Sequence, residues 1–195
     1  QTYDLPRSSD IGPRAWRKWW SKHLGNIPLY SANISSPTNI IEIHPNEQKE
    51  RYLPRLAAGL STLCFAVSEP GAGAHPKHLK TEAVRDGDHY IVNGKKAYLT
   101  NGPISDLILL MAITGVEEGR KQYSVFLVPR ETPGIEETEG VKIDFLKPSC
   151  HCGMRFTDVR VPADALLGPE GDAFATFSLP MRKVEDAISA ANKAG

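Results

Sequence analysis

The chain has 195 residues, 41% of them hydrophobic, with 23 basic and 23 acidic side chains, so it is long enough for one packed domain with partial neighbours. The balanced charge gives no reason to expect nucleic acid or an anionic membrane as a partner. No apolar run approaches the ~20 residues of a membrane-spanning helix, so no membrane segment is predicted. Three cysteines do not form a disulfide framework and are typical of a reducing compartment.

The N-terminal part of the chain predicts helices. Residues 12–26 carry three tryptophans behind Pro13, a pattern typical of a short helix with one buried face. Residues 44–60 place apolar side chains at helical spacing, at Leu53, Leu56, Ala57 and Leu60. This spacing predicts an amphipathic helix, or two short helices broken at Pro54.

The stretch FAVSEPGAGA, residues 65–74, ends an apolar segment and continues almost without side chains. Such a backbone allows close approach of a ligand, and consecutive amides can form an anion-binding nest. No Lys-Ser/Thr pair follows it, so it is not a P-loop, and it lacks the G-x-G-x-x-G of a dinucleotide fold. From the residues alone, both a phosphate site and a plain surface turn remain open.

Residues 65–161 show the pattern of short strands. HYIVNGKKAYLTNG, residues 89–102, predicts a β-hairpin with Asn93-Gly94 at its turn. The continuous apolar run 106–114 predicts a strand covered on both faces. Further strands that end at prolines are predicted for residues 122–129 and 152–162. Strands at this spacing favour an antiparallel sandwich or barrel over βαβ units.

After Pro162 the pattern becomes helical again. One apolar stripe is formed by Met181, Val184, Ala187, Ile188 and Ala191. An isolated helix of this length is marginal, so the stripe needs a cover. We expect that cover from the N-terminal helices, from a second copy of the chain in a homo-oligomer, or from a helical domain that this sequence lacks.

FAVSEPGAGA followed by DGDHYIVNGKKAYLTNG resembles the middle domain of the acyl-CoA dehydrogenase family. That family carries aromatic-x-x-Thr-Glu-Pro-x-Ala-Gly-Ser-Asp and then Asn-Gly-x-Lys-x-Trp-Ile-Thr/Ser-Asn. Three flanking segments also match in order, and the resemblance extends over residues 46–177: EQKERYLPRLAAG, YSVFLVPRETPGI and FTDVRVPADALLGPEGDAF.

The resemblance implies an α+β fold with a middle antiparallel β-barrel flanked by helices, the C-terminal four-helix domain being largely missing. The domains expected are a partial N-terminal helical domain at 1–60, a flavin-binding barrel at 61–162 and the start of a C-terminal helical domain at 163–195. The same resemblance implies a compartment, the cytoplasm or, in a eukaryote, the mitochondrial matrix.

The resemblance also implies FAD, bound between the middle and C-terminal domains. The cofactor-binding positions that it assigns are Phe65, Val67, Ser68, Gly73, Ala74, Tyr98, Leu99 and Thr100. Tyr98 stands for the family Trp and offers a π face, Thr100 offers a hydroxyl, and Ser68 stands for the family Thr. Tyr98 and Thr100 are two residues apart, so on a strand they face the same side.

The reaction implied is α,β-dehydrogenation of an acyl-CoA thioester, with hydride transfer to flavin N5 and an electron-transfer acceptor downstream. Ala74 and Arg182 fall at substrate-binding positions. Ala74 lacks the hydroxyl of the family Ser, and Arg182 lacks the acidic partner usual three residues earlier, where Leu179 stands. The family's base lies in the C-terminal helical domain, so no catalytic residue is assigned.

Two alternatives stay open: a non-catalytic paralogue that acts as a binding or assembly module, and a related flavin oxidase or monooxygenase. Cys150-His151-Cys152 raises the question of a metal site. Strand alternation would place the two cysteines on one face and the histidine on the other. Since no second ligand pair accompanies them, we predict no metal.

Overall fold

The computed structural model describes residues 46–57, 60–72, 78–140 and 151–178. Within these ranges, no helix is long and apolar enough to cross a bilayer. The elements formed by the described residues are α1 (Asn46–Ala57), β1 (Leu63–Ala66), β2 (Glu82–Asp86), β3 (His89–Thr100), β4 (Leu107–Glu117), β5 (Arg120–Pro129), β6 (Ile135–Thr138), β7 (His151–Pro162) and β8 (Leu166–Leu167). Short helical turns lie at Gly102–Ile104, Ala163–Ala165 and Phe174–Ser178.

The strands of the described chain form one sheet in the order β6-β7-β3-β2-β4-β5-β8, with β1 paired to β4. Most neighbours are antiparallel, as the sequence predicts. Two contacts differ: β1 runs parallel to β4, and β2 meets β4 in parallel at Glu82 and Ile113. The β2–β3 hairpin lies between β1 and β4 in the chain, and this long crossover allows the chain to re-enter the sheet in the same direction.

The prediction of a turn at Asn93-Gly94 is wrong. β3 runs through both residues, and the hairpin turns at Gly87, where φ is 61°. The register of β3 against β7 shifts between Val92 and Gly94, which marks a β-bulge. A Cβ on Gly94 would lie 2.4 Å from Thr81 Oγ1. The glycine therefore permits a close approach between chain segments rather than a turn.

Strand β4 is buried on both faces, as its apolar run predicts. Ile108, Leu110 and Ala112 belong to one hydrophobic core, and Leu107, Leu109 and Met111 belong to a second. The first core collects side chains from β1, β2, β3, β4, β5 and β7. In it the rings of Tyr90 on β3 and Phe126 on β5 lie 5.0 Å apart. In a flat sheet these strands would be separated by roughly 14 Å, so the sheet curls around this core as in a barrel.

Helix α1 covers the second core. Tyr52, Leu53 and Leu56 pack against it, and the helix stays continuous through Pro54, so the alternative of two broken helices is wrong. Pro54 is exposed near the helix end, where the loss of one backbone hydrogen bond is tolerated. Gln48 Nε2 donates to the carbonyls of Asp164 and Leu166 at 3.0 and 2.9 Å, and so fixes the helix to β8.

Two of the helical segments predicted from the sequence fall outside the described residues. They are the tryptophan-rich helix at 12–26 and the apolar stripe from Met181 to Ala191. The strand β8 lies just beyond 162, the position expected for the end of the barrel domain, and it pairs with β5 through Val125–Leu167 and Phe126–Leu166.

Candidate functional site

A cleft opens between the end of β1 and the end of β3. Its walls are Leu63, Phe65, Val67, Ser68, Ala97, Tyr98, Thr100 and Asn101. The cavity measures about 120 Å³, whereas small-molecule sites usually enclose about 300–1,000 Å³. The cavity formed by the described residues is therefore smaller than a typical small-molecule site.

The two sides of the cleft are joined by the backbone. The amide of Ala97 donates to the carbonyl of Ser68 at 2.9 Å, so the segment after β1 lies beside β3. Between Lys96 and Leu99 the register of β3 against β7 shifts again, and Tyr98 takes a φ of 61°. This left-handed conformation is unfavourable for tyrosine. It leaves the Tyr98 side chain 51% exposed at the cleft, as strained residues at binding sites often are.

The structure brings together five of the residues to which the sequence assigns a cofactor role. Phe65, Val67 and Ser68 line one side of the cleft, and Tyr98 and Thr100 line the other. Leu99 lies between the last two, but its side chain is fully buried in the first core. Any role of Leu99 at the cleft would therefore fall to its backbone. Gly73, Ala74 and Arg182 lie outside the described residues.

A buried ion pair lies beneath the cleft. Lys96 Nζ donates to Glu69 Oε1 at 2.8 Å and to the carbonyl of Val67 at 3.1 Å. The Glu69 carboxylate also accepts the amides of Lys80 at 2.7 Å and Thr81 at 2.9 Å. The Lys96 side chain has no exposed surface, and that of Glu69 is 5% exposed. These contacts give Glu69 a structural role at the turn.

The two members of the pair have shifted pKa values. Burial lowers the pKa of Lys96 from 10.5 to about 8, although the hydrogen bond and charge of Glu69 act in the opposite direction. Burial alone would raise the pKa of Glu69. Hydrogen bonds from Lys96 and Thr81, with the positive charge of Lys96, outweigh burial, so this pKa is lowered. Glu69 is thus held as a carboxylate and is poorly suited to act as a base.

Asn101 is a cleft residue that the sequence analysis did not single out. It is 2% exposed, lines the cavity, and its Oδ1 has no hydrogen-bond partner among the described residues. Buried amide oxygens are normally paired. The cleft thus combines apolar side chains, the ring of Tyr98, the hydroxyls of Ser68 and Thr100, and one unsatisfied acceptor. This set fits a flat polar heterocycle such as a flavin ring.

The C-terminal described turn reaches the same region. The ring of Phe177 packs edge-to-face on Phe65, with the centroids 5.5 Å apart. Phe174, in the same turn, is 62% exposed.

Among the described residues, no group of three or more His, Cys, Asp or Glu is arranged to hold a metal ion. Cys152 is buried and lies where a Cβ on Gly102 would contact its Sγ.

Comparison with known proteins gives one consistent family. Residues 64–159 match the family model described as acyl-CoA dehydrogenase, middle domain. The chain is 41% identical over 133 residues to a cyclohex-1-ene-1-carbonyl-CoA dehydrogenase of Geobacter metallireducens, which covers 67% of this chain and 35% of that protein.

Solved structures give the same result. Butyryl-CoA dehydrogenase from Megasphaera elsdenii superposes with a TM-score of 0.72 at 31% identity, covering 77% of this chain and 40% of that one. A glutaryl-CoA dehydrogenase from Mycobacterium smegmatis in complex with FADH2 gives 0.64 at 34% identity, over 75% and 37%. This chain thus spans about a third to two fifths of its relatives. Through this middle domain, the chain belongs to the acyl-CoA dehydrogenase family.

Proposed function

We propose that the chain forms the flavin-binding part of an FAD-dependent acyl-CoA dehydrogenase. The observation that carries the proposal is the cleft itself. Phe65 and Ser68 on one segment meet Tyr98 and Thr100 on another, and all four line a single cavity. The resemblance had assigned these residues to the flavin from sequence alone. Among the relatives, the Mycobacterium smegmatis enzyme was solved with FADH2.

Each cleft residue has a distinct task in this proposal. The half-exposed ring of Tyr98 offers a flat surface for stacking. The hydroxyls of Ser68 and Thr100 orient the polar edge of the ring, since each can donate and accept. Asn101 Oδ1, which is unsatisfied, accepts a ring N–H. Phe65 and Val67 exclude water from the apolar part.

When bound, FAD would accept the β-hydrogen of an acyl-CoA thioester as hydride while a base removes the α-proton. None of the described residues is assigned as that base, and the buried carboxylate of Glu69 already accepts hydrogen bonds from Lys96, Lys80 and Thr81. We assign acyl-CoA binding to Ala74 and Arg182 as part of the proposal. An electron-transfer acceptor and assembly with further helical elements or a second copy belong to it as well.

A titration with FAD tests the cleft. The full chain and a Tyr98→Ala/Thr100→Ala variant are titrated while flavin fluorescence is followed. A matched control is Val116→Ala/Thr157→Ala, because Val116 is 67% exposed and Thr157 is also exposed, and neither lines the cleft. We expect the cleft variant to bind FAD at least about tenfold more weakly and the control to match the parent chain.

The outcome also separates the alternatives. A chain that binds FAD through Tyr98 and Thr100 retains a flavin site, which excludes a paralogue that has lost it. Bleaching of the bound flavin by an acyl-CoA under anaerobic conditions would then count against a monooxygenase that needs a separate reductant. Slow reoxidation of the bleached flavin when oxygen is admitted would support a dehydrogenase over a flavin oxidase. Equal weakening of both double variants would count against the proposed cleft.

A further inference from the structure

We propose that the buried Glu69–Lys96 pair, here called the clamp, positions both parts of the flavin site. These parts are the cleft for the ring and the base of the glycine-rich stretch, here called the loop neck, where Glu69 meets Lys80 and Thr81. The proposal rests on the proposed function for its ligand, while the clamp itself is a property of this chain. Glu69 and Lys96 are positioning residues, because neither lines the cleft. They act through the backbone segments that they hold.

The first half of the clamp sets the cleft. Lys96 Nζ reaches the carbonyl of Val67 at 3.1 Å, one residue before Ser68. The next residue on β3, Ala97, bonds the Ser68 carbonyl at 2.9 Å. Lys96 and Ala97, which are successive residues of β3, thus donate hydrogen bonds to the carbonyls of two successive residues of the opposite wall. A shift of either segment would change the spacing between Ser68 and Tyr98, which a bound ring must fit closely.

The second half sets the loop neck. Glu69 begins the glycine-rich stretch, and its carboxylate accepts the amides of Lys80 and Thr81 where the chain returns. Glu69 and Ala72 also exchange backbone hydrogen bonds at 3.5 and 3.0 Å. One carboxylate therefore joins the two sides of the stretch in which the resemblance assigns Gly73 and Ala74 to the cofactor. Lys96 neutralises that carboxylate from the cleft side.

The charge state of the clamp changes in mildly alkaline solution. The pKa of Lys96 is about 8, so the ammonium loses its proton as the pH rises through that value. Glu69 meets Lys96 from the segment after β1, and Tyr123 on β5 faces the Glu69 charge. Burial raises the pKa of Tyr123, with Glu69 adding to the effect, so this phenol stays neutral while Lys96 titrates. Thr81 donates hydrogen bonds to the Glu69 carboxylate but carries no charge.

Folding and ligand binding should therefore respond to pH in opposite directions. Loss of the Lys96 proton removes a buried charge, so its contribution to folding stability becomes more favourable above pH 8. The same loss removes the charge-assisted bonds that hold the cleft and the loop neck. If the pair only supported folding, the affinity of the folded chain for flavin would not change as Lys96 loses its proton. If the pair positions the site, affinity falls while stability rises.

The test compares four proteins between pH 7 and pH 9: the parent chain, Lys96→Met, Glu69→Gln/Lys96→Met, and Lys95→Met. Lys95 is the exposed neighbour on the same strand and serves as the matched control. FAD affinity is measured by fluorescence titration, and stability by urea unfolding. We expect the affinity of the parent chain and of the control to fall about tenfold as Lys96 deprotonates.

The double variant keeps the site neutral in case Lys96→Met alone does not fold, since replacement of both charges is often tolerated. We expect its FAD affinity to be about tenfold below that of the parent at pH 7 and independent of pH. A double variant that folds and binds FAD as tightly as the parent at pH 7 would overturn the proposal. A parent affinity that stays level or rises above pH 8 would do so as well.

Amide hydrogen exchange separates this proposal from the proposed function, because it needs no flavin. In the double variant, the amides of Lys80, Thr81 and Ala97 should lose protection, while those of Leu110 and Phe126 in the core should keep it. Unchanged protection at the first three sites would overturn the clamp even if the chain binds FAD. Lost protection at these sites in a chain that binds no FAD would support the clamp and contradict the proposed function.

Discussion

The backbone amide of Ala97 donates a 2.9 Å hydrogen bond to the carbonyl of Ser68, and this contact holds together the two segments whose residues Ser68 and Tyr98 line the cleft. Each segment is short, and the two are separated along the chain by β2 and the first part of β3. Strand β3 approaches the end of β1 because the sheet curls around its first core. The site therefore depends on the curvature of the sheet as much as on the residues that line it.

The strained backbone at Tyr98 should lower the free energy of unfolding, while the side chain that it carries should increase FAD affinity. Replacement of Tyr98 by glycine removes the penalty of a positive φ, here 61°, and should raise the free energy of unfolding by about 0.5–1 kcal/mol. It also removes the aromatic surface, so FAD affinity should fall about tenfold. Urea unfolding and FAD titration of the same preparation measure both effects.

Glu118 provides the control for that variant. It has a φ of 48° in the turn between β4 and β5, is exposed, and lies outside the cleft. Glu118→Gly should also stabilise the chain but leave FAD affinity unchanged. If Tyr98→Gly destabilises the protein while Glu118→Gly stabilises it, the conformation assigned to Tyr98 is wrong.

Gly94, beside the register shift between β3 and β7, should not tolerate a side chain. A Cβ there would lie 2.7 Å from the Thr81 Cα, so Gly94→Ala should lower the free energy of unfolding by about 1–3 kcal/mol. Gly115 is the matched control, since a Cβ there meets nothing within 4 Å, and Gly115→Ala should change stability by less than about 0.5 kcal/mol. Equal urea midpoints for the two alanine variants would contradict the close approach of β3 to Thr81.

The curl of the sheet can be tested through Tyr90 and Phe126. Their rings are 5.0 Å apart at an interplanar angle of 65°, a geometry that contributes about 0.5–1.5 kcal/mol beyond burial. A double-mutant cycle with Tyr90→Leu and Phe126→Leu should therefore give a coupling energy in that range by urea unfolding. Strictly additive effects would mean that β3 and β5 do not meet across the core.

The Glu69–Lys96 pair predicts the pH dependence of stability. The folded pKa of Lys96 is about 8 against 10.5 for the unfolded chain, so the unfolded state binds more protons between these values. Stability should rise with pH across this window, by up to about 3 kcal/mol. Glu69 has a lowered pKa, so its contribution is present above pH 4.5 and is lost as the pH falls below it.

Other groups of the chain also titrate in these two pH ranges, so the effect of the pair is measured as a difference in stability between two proteins. The unfolding free energy of the parent chain minus that of Glu69→Gln/Lys96→Met is followed against pH by urea denaturation. A difference that stays level from pH 8 to pH 10 would contradict the burial of a charged Lys96.

The sequence predicted the kinds of elements better than their boundaries. The apolar run of β4 required cover on both faces, and the structure confirms it with two cores. Asn93-Gly94 was misread because a glycine serves either a hairpin turn or a close approach of two segments within a sheet, and only the packing of Gly94 on Thr81 distinguishes the two. The parallel pairing of β1 with β4 is equally invisible in local patterns.

For the site, the family motifs identified residues that do meet in one cleft, including Ser68, Tyr98 and Thr100. The burial of Lys96 was missed, although strand alternation contained the signal. Tyr90 and Val92 face inward, and Lys96 lies on the same side of β3, where a lysine requires an acidic partner. Asn101 could not have been found by periodicity, because its position depends on a left-handed φ of 65° after the strand.

The central claim is that this chain holds a flavin at the cleft of Ser68, Tyr98 and Thr100. The most direct measurement is the visible absorption spectrum of the purified chain, recorded after incubation with FAD and removal of free cofactor by desalting. We expect a retained flavin spectrum for the parent chain and its loss in Tyr98→Ala/Thr100→Ala. A flavin spectrum of equal strength in both proteins, or a colourless parent chain, would contradict it.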